Sequence, residues 1–247
     1  MNELAGRVAL LTGASGGIGK GIARALADEG VDLFLTYGRH ADDAEEVAAY
    51  ARGVGRRAAV AAADLADPTA PARLVAQANS ELGGVDILVA NAGTADVKGW
   101  QNIDLESWNA TLAINLTAPF LLAQQVLPAM VEKRFGRVLF VSSVAGLNGG
   151  VVGAHYAASK AGLHGLMHHL APRVAADGVT VNALAPALIG DTGMFPVDPD
   201  TAASTPMPIP VGRAGRPAEV ADLAIAMLRN GYLTNKVITL DGGILPR

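Results

Sequence analysis

The sequence predicts a doubly wound α/β fold, a three-layer sandwich in which helices flank a seven-stranded parallel sheet. Three observations carry that expectation. Seven short runs rich in Val, Ile and Leu alternate with longer alanine-rich segments of helical spacing. A glycine cluster follows the first run directly. No Pro/Gly/Ser linker, internal repeat or low-complexity tract divides the 247 residues, so a single domain over 1–247 is expected.

The apolar runs are Arg7 to Leu11, Val31 to Thr36, Arg57 to Ala62, Val85 to Ala90, Arg137 to Ser142, Val179 to Leu184 and Lys236 to Leu240. Between them, helices are expected over Ile18 to Glu29, Asp42 to Arg52, Pro71 to Leu82, Leu105 to Val131, Tyr156 to Ala176 and Pro217 to Arg229. Strict alternation means parallel strands joined by right-handed crossovers, with helices on both faces. Pro172 falls inside the Tyr156 helix, where it removes an intrahelical bond and should bend it. The stretch Asp191 to Pro210 holds five prolines and reads as a loop; with its flanks, 188–212, it is expected to cover a substrate.

Composition excludes several functions. A formal charge of −4 with no Lys/Arg cluster offers no footprint for nucleic acid. Without cysteine there is no disulfide, Cys-ligated zinc, iron–sulfur cluster or thiol catalysis, so the chemistry must run on oxygen and nitrogen groups. The start, Met-Asn-Glu-Leu-Ala-Gly-Arg, lacks the basic flank and apolar stretch of a signal peptide. No apolar run approaches transmembrane length, so no membrane partner is expected and the protein is expected in the cytoplasm.

In a doubly wound sheet ligands bind beyond the carboxyl ends of the strands. There, after the first strand, stands Thr12-Gly13-Ala14-Ser15-Gly16-Gly17-Ile18-Gly19, leading into a helix. Glycines let the backbone approach a pyrophosphate, and a helix N-terminus supplies unpaired N–H groups. A dinucleotide is the expected guest. NAD sites place an acid at the end of the second strand, but that end reads Tyr37-Gly38-Arg39-His40, with Asp32 too early. Arg39 fits a 2′-phosphate, at roughly 1.5–3 kcal/mol per charge-assisted bond, or about 10- to 100-fold. NADP(H) is therefore preferred, with NAD(H) as the alternative; the plain reading of Arg39 is a solvated arginine beside Asp42 and Asp43.

Tyr156 and Lys160, at i and i+4, share a helix face. A phenol working near pH 7 needs about 4 kcal/mol of preferential phenolate stabilisation. A cation about 4 Å away at an effective dielectric near 20 supplies about that. Alone the pair is a common surface motif. His164, His168 and His169 have metal-ligand spacing, but no acidic residue pairs with them, and no metal is expected. His155 is expected to face the substrate, and Trp100 and Trp108 to be packing residues.

The ordered set Thr12-Gly-x-x-x-Gly-x-Gly19, Asp64-Leu65, Asn91-Ala92-Gly93, Asn115, Ser142-Ser143, Tyr156-x-x-x-Lys160, Asn182 with Pro186, and Asp241-Gly242-Gly243 resembles the short-chain dehydrogenase/reductase family from end to end. That resemblance implies a Rossmann-type fold and hydride transfer between a nicotinamide cofactor and a small carbonyl or alcohol. It implies catalytic roles for Ser143 on the substrate oxygen and Tyr156 as proton donor. Lys160 would hold the nicotinamide ribose and lower the tyrosine pKa, and Asn115 would hold a water that relays protons to it. It implies cofactor contacts from Gly13, Ser15, Gly16, Gly17, Ile18 and Gly19, from Tyr37 and Arg39, and from Asp64 and Leu65. Asn91, Ala92, Gly93, Tyr156 and Lys160 would add to these, with Pro186, Ile189 and Thr192 at the nicotinamide end. Ser142 is read as structural, because the family's thirteen-residue spacing to the tyrosine selects Ser143.

The pattern departs at Ala90, where an asparagine often stands, at Gly16, where NADP-preferring members often carry Arg or Lys, and at Ala187, the usual glycine after Pro186. Within the family the pattern is closest to 3-oxoacyl-acyl-carrier-protein reductases. Arg134 matches the first of two carrier-docking arginines, but Asp177 holds the second position and would repel an acidic carrier. A generic ketone reductase is then equally expected, and an NAD-linked alcohol, sugar or steroid dehydrogenase is the next alternative. A catalytically silent dinucleotide sensor is the alternative from another class. The resemblance also implies a homotetramer built on the Leu105 and Tyr156 helices.

Overall fold

Each expected run forms a strand in the computed structural model, which describes residues 4–193 and 208–246. The strands are β1 (Val8–Thr12), β2 (Asp32–Tyr37), β3 (Ala58–Ala62), β4 (Ile87–Ala90), β5 (Gly136–Val141), β6 (Val179–Pro186) and β7 (Val237–Leu240). They form one sheet in the order β3-β2-β1-β4-β5-β6-β7, every pair parallel. β1 shows why apolar runs become strands here. Val8 and Leu10 enter the core on one face, while Ala9 and Leu11 enter the core on the other. A strand buried on both faces cannot alternate with polar residues.

The helices that cover one face are α1 (Gly17–Asp28), α2 (Ala41–Gly53) and α8 (Pro217–Arg229), through Ile22, Leu26, Val47 and Val220. The other face carries α3 (Ala70–Leu82), α5 (Ala118–Glu132) and α7 (Ala154–Val174), through Leu74, Leu122 and Leu163. Phe34 and Phe140 are fully buried in the sheet itself; such burial contributes about 1.5–3 kcal/mol per side chain. The chain begins at the sheet centre, winds outward to β3 and returns to β4 beside β1. That reversal opens a crevice above the carboxyl ends of β1 and β4.

Two expectations about the long fourth helix need correction. It is not continuous: α4 (Leu105–Leu112) joins α5 through a π-helical turn, Ala113–Thr117, with Asn115 fully buried inside it. Single π-turns of this kind often mark functional sites. Taken together, Leu105–Glu132 is also long and apolar enough to cross a membrane by length and composition, contrary to the expectation that no stretch reaches that length. Its buried face, including Leu122, Val126 and Met130, packs into the core. α7 continues past Pro172 to Val174, and a short α6 (Ala145–Asn148) precedes it. Of the expected loop 188–212, residues 194–207 lie outside the described residues.

Candidate active site

The glycine turn sits where the crevice opens. Gly13 has φ +73°, a left-handed conformation, and a Cβ there would lie 2.9 Å from the Ala92 Cα. A Cβ at Gly19 would collide with the Gly13 carbonyl. Gly16 is the exposed N-cap of α1, no side chain caps the helix, and its first turn carries no acid. Ser15, Gly17 and Ile18 are half-buried beside it. Backbone N–H groups and the positive end of the helix dipole face the crevice, so these residues fit a dinucleotide pyrophosphate.

Asn91 braces that turn instead of facing outward. Its Nδ2 donates to the carbonyls of Thr12 at 3.0 Å and Gly13 at 3.1 Å. The Thr12 hydroxyl accepts from the main-chain N–H groups of Asn91 and Ala92, both at 3.1 Å. The Asn91 amide thus holds β1 to β4.

The end of β2 carries Tyr37, half-buried and in register with Ala62 at the end of β3. Two residues beyond Ala62, exposed Asp64 accepts from the Ala66 N–H at 2.9 Å, and Leu65 is buried next to it. Arg39 is exposed and makes no hydrogen bond or ion pair among the described residues. Of its two acidic neighbours, Asp43 pairs with Lys20 at 2.6 Å. Asp32 lies at the opposite end of β2, bound to Arg57 at 2.7 Å.

Ser143, Tyr156, Lys160 and Asn115 converge at the carboxyl ends of β4 and β5. Tyr156 packs in a small apolar cluster with Ala145, Val152 and Ala95. Burial raises its phenol pKa, and a hydrogen bond from Ser143 partly offsets that. Lys160 is buried, its Nζ 5.6 Å from the tyrosine ring centroid and donating to the Val141 carbonyl at 2.9 Å. Burial lowers its pKa to about 8. The sequence argument gave the lysine the leading influence on the phenol; here burial sets the direction of the shift. With the ammonium directed at Val141, desolvation dominates the tyrosine, and the neutral phenol is the favoured form.

The Asn115 side chain is fully engaged. Its Oδ1 accepts from the Thr94 N–H at 2.8 Å, while its Nδ2 donates to the Thr94 carbonyl at 2.9 Å and to the Ser159 hydroxyl at 3.1 Å. The amide therefore clamps the segment after β4 onto α7. Gly93 lies between these groups, and a Cβ there would sit 3.4 Å from both Asn115 Oδ1 and Lys160 Nζ. Thr94 and Ser159 were missed from the sequence. The signal for Ser159 was its position three residues after Tyr156, where its hydroxyl donates to the Tyr156 carbonyl at 2.7 Å.

After β6, the Pro186 carbonyl accepts from the Val144 N–H at 3.0 Å. Buried Ile189 bridges to Gly215, and the Thr192 hydroxyl donates to the Ile189 carbonyl at 3.0 Å. Asp191 and Thr192 lie directly against Gly17, so this segment crosses the glycine turn.

Several other expectations change. Trp100 is 76 % exposed, contrary to the packing role expected of it, whereas Trp108 is half-buried. His155 is fully buried instead of facing a cleft: its ring lies against Gly153, and neither ring nitrogen has a hydrogen-bond partner among the described residues. His164 Nε2 meets the Ser142 hydroxyl at 2.8 Å, and His168 Nδ1 meets Asn235 Oδ1 at 2.7 Å, so the two rings have separate partners. Arg134 and Asp177 form an ion pair at 3.6 Å, with an Arg134 bond to the Ala176 carbonyl.

Comparison with known proteins agrees with this geometry. The family model described as short chain dehydrogenase matches residues 7–202. A 3-oxoacyl-acyl-carrier-protein reductase of Vibrio cholerae is 36 % identical over 245 residues, covering 98 % of both chains. An acetoacetyl-CoA reductase of Allochromatium vinosum is 35 % identical over 242 residues, covering 96 % of this chain and 98 % of that one. A solved short-chain type dehydrogenase/reductase from Mycobacterium marinum superimposes with a TM-score of 0.89 at 33 % identity, covering 100 % of this chain and 98 % of the other.

Proposed function

The chain belongs to the short-chain dehydrogenase family, and from that premise we propose that it reduces a ketone, of 3-oxoacyl or similar small-carbonyl type, with NADPH, Tyr156 giving the proton. The observation that carries this reading is the convergence of Ser143, Tyr156 and Lys160 beside the glycine turn. The Ser143 hydroxyl and the Tyr156 phenol are two adjacent donors able to receive one carbonyl oxygen. Burial keeps the phenol protonated at neutral pH, the form that a reduction consumes. Lys160, with a pKa of about 8, holds a proton that can follow the one the tyrosine gives up. The glycine turn and the α1 N-terminus would hold the pyrophosphate, with Gly93 and Lys160 near the nicotinamide ribose. The bound nicotinamide supplies the hydride.

Arg39 supports the NADP preference, because its exposed guanidinium has no partner among the described residues to surrender. We expect Arg39→Ala to raise the KM for NADPH about 10- to 100-fold and leave that for NADH nearly unchanged. An unchanged NADPH/NADH ratio in steady-state assays sinks the cofactor assignment and favours the NAD-linked dehydrogenase reading. The Arg134–Asp177 pair argues against carrier docking at that corner, so a free or CoA-linked ketone fits better than a carrier-bound one. Initial rates with matched carrier-linked and CoA-linked 3-oxoacyl thioesters, and a panel of simple ketones, test the activity. No turnover with any of them would leave a silent dinucleotide sensor.

A homotetramer also fits. Phe120, Leu127, Pro128, Val131 and Leu170 line an open apolar pocket on α5 and α7, the two helices that the assembly would use. Sedimentation at micromolar concentration is expected to give four times the 25.2 kDa chain mass, and a monomer there rules the tetramer out.

A further inference from the structure

Tyr156, Lys160 and His164 stand four residues apart and follow one face of α7. That face is laced to the end of β5 by successive contacts. Tyr156 meets Ser143, Lys160 Nζ donates to the Val141 carbonyl at 2.9 Å, and the Ser142 hydroxyl donates to the Lys160 carbonyl at 3.0 Å. The last contact is between Ser142 Oγ and His164 Nε2, at 2.8 Å. Ser142 and His164 are both buried, and neither belongs to the chemistry proposed above.

Directions in this chain follow from donor counts. Serine has one hydroxyl proton and a carbonyl can only accept, so that proton lies toward Lys160. Ser142 Oγ must then accept from His164, which fixes the ring as the Nε2–H tautomer. The result is a directed relay, His164 Nε2–H to Ser142 O–H to the Lys160 carbonyl. The ring has little freedom, because it also packs on Gly146 of α6, where a Cβ would lie 2.9 Å from His164 Cε1.

We propose that His164 is a positioning residue for the reaction: through Ser142 it sets the register of α7 on the end of β5, and so holds the Tyr156 phenol and Lys160 against Ser143. This rests on the reductase reading given above. The titratable groups that bear on His164 are Lys160 and His168, both on α7; Ser142, just past β5, and Gly146 from α6 carry no charge. Burial and these neighbours hold its pKa below the ordinary 6.5, which keeps the single Nε2–H donor in place at neutral pH.

The test is a set of variants assayed with NADPH and the best ketone. His164→Leu and Ser142→Ala should each lower kcat about tenfold, with KM changed less than about twofold, because a small misalignment of reacting groups acts on turnover more than on binding. Combining them should cost little more than either alone, since both break the same relay. His164→Gln, whose Nε2 amide reaches as far and donates, should recover kcat to within about threefold of the parent. Wild-type kcat in Ser142→Ala, or equal losses in the Leu and Gln variants, overturns the proposal. Should the leucine variant not fold, Ser142→Ala against His164→Gln decides alone. Tyr156→Phe run in parallel separates the two layers. If it keeps full turnover, Tyr156 is not the proton donor and that part of the reductase reading fails; if it is inactive while His164→Leu is fully active, only the positioning role fails.

Discussion

Tyr156→Phe is expected to lower turnover about 10²- to 10⁴-fold, the range a general acid contributes, with NADPH affinity changed less than about twofold. The substitution removes only the hydroxyl. The ring stays in its cluster with Ala145, Val152 and Ala95, and Ser143 keeps its other contact, the Ala145 N–H donating to Ser143 Oγ at 3.1 Å. Folding should therefore survive, because a buried hydroxyl with one partner contributes about 1 kcal/mol or less. Cofactor titration by fluorescence, a thermal melt and steady-state rates together check this. Turnover within tenfold of the parent would show that some other group gives the proton.

Lys160→Met is expected to make the protein inactive and more stable at pH 7. The lysine is buried with no carboxylate beside it among the described residues, and desolvation lowers its pKa to about 8 from 10.5. The sign follows from proton binding. Between about pH 8 and 10.5 the unfolded chain holds this proton and the folded one does not, so stability rises with pH across that window; below it the full penalty of the buried charge applies. The gap corresponds to about 3 kcal/mol. Methionine fills similar space without charge, but it leaves the Val141 carbonyl without its 2.9 Å donor, which returns about 1 kcal/mol. A net gain of about 2 kcal/mol is expected, or roughly 4–8 °C in Tm for a domain of this size. The gain should vanish in melts above about pH 10.5, where the parent no longer carries the charge. A variant less stable than its parent at pH 7 would mean that Lys160 is stabilised by its surroundings.

These two residues show where sequence reasoning reaches its limit. The i, i+4 spacing was enough to put Tyr156 and Lys160 on one helix face, because helical geometry is local. It did not say where the ammonium points. That is decided by the Val141 carbonyl, an acceptor fifteen residues before the tyrosine and on another element. The same holds for Asn115. Local propensity over Leu105 to Val131 is helical throughout, and the π-turn becomes visible only once Thr94 clamps the Asn115 amide from the end of β4. Arg39 was legible as a cation at the right strand end, but its freedom depended on Lys20 taking Asp43 from an adjacent helix.

By itself the sequence determined the layered parallel fold, the family and the glycine turn after the first strand. Hydrophobic period, positive-φ glycine positions and helix spacing are properties of neighbouring residues. Only the tertiary structure decided the burial of Tyr156 and Lys160, the break at Asn115 and the His164–Ser142 contact. Each of these depends on burial, or on donors and acceptors brought together from distant parts of the chain, and no local pattern records either.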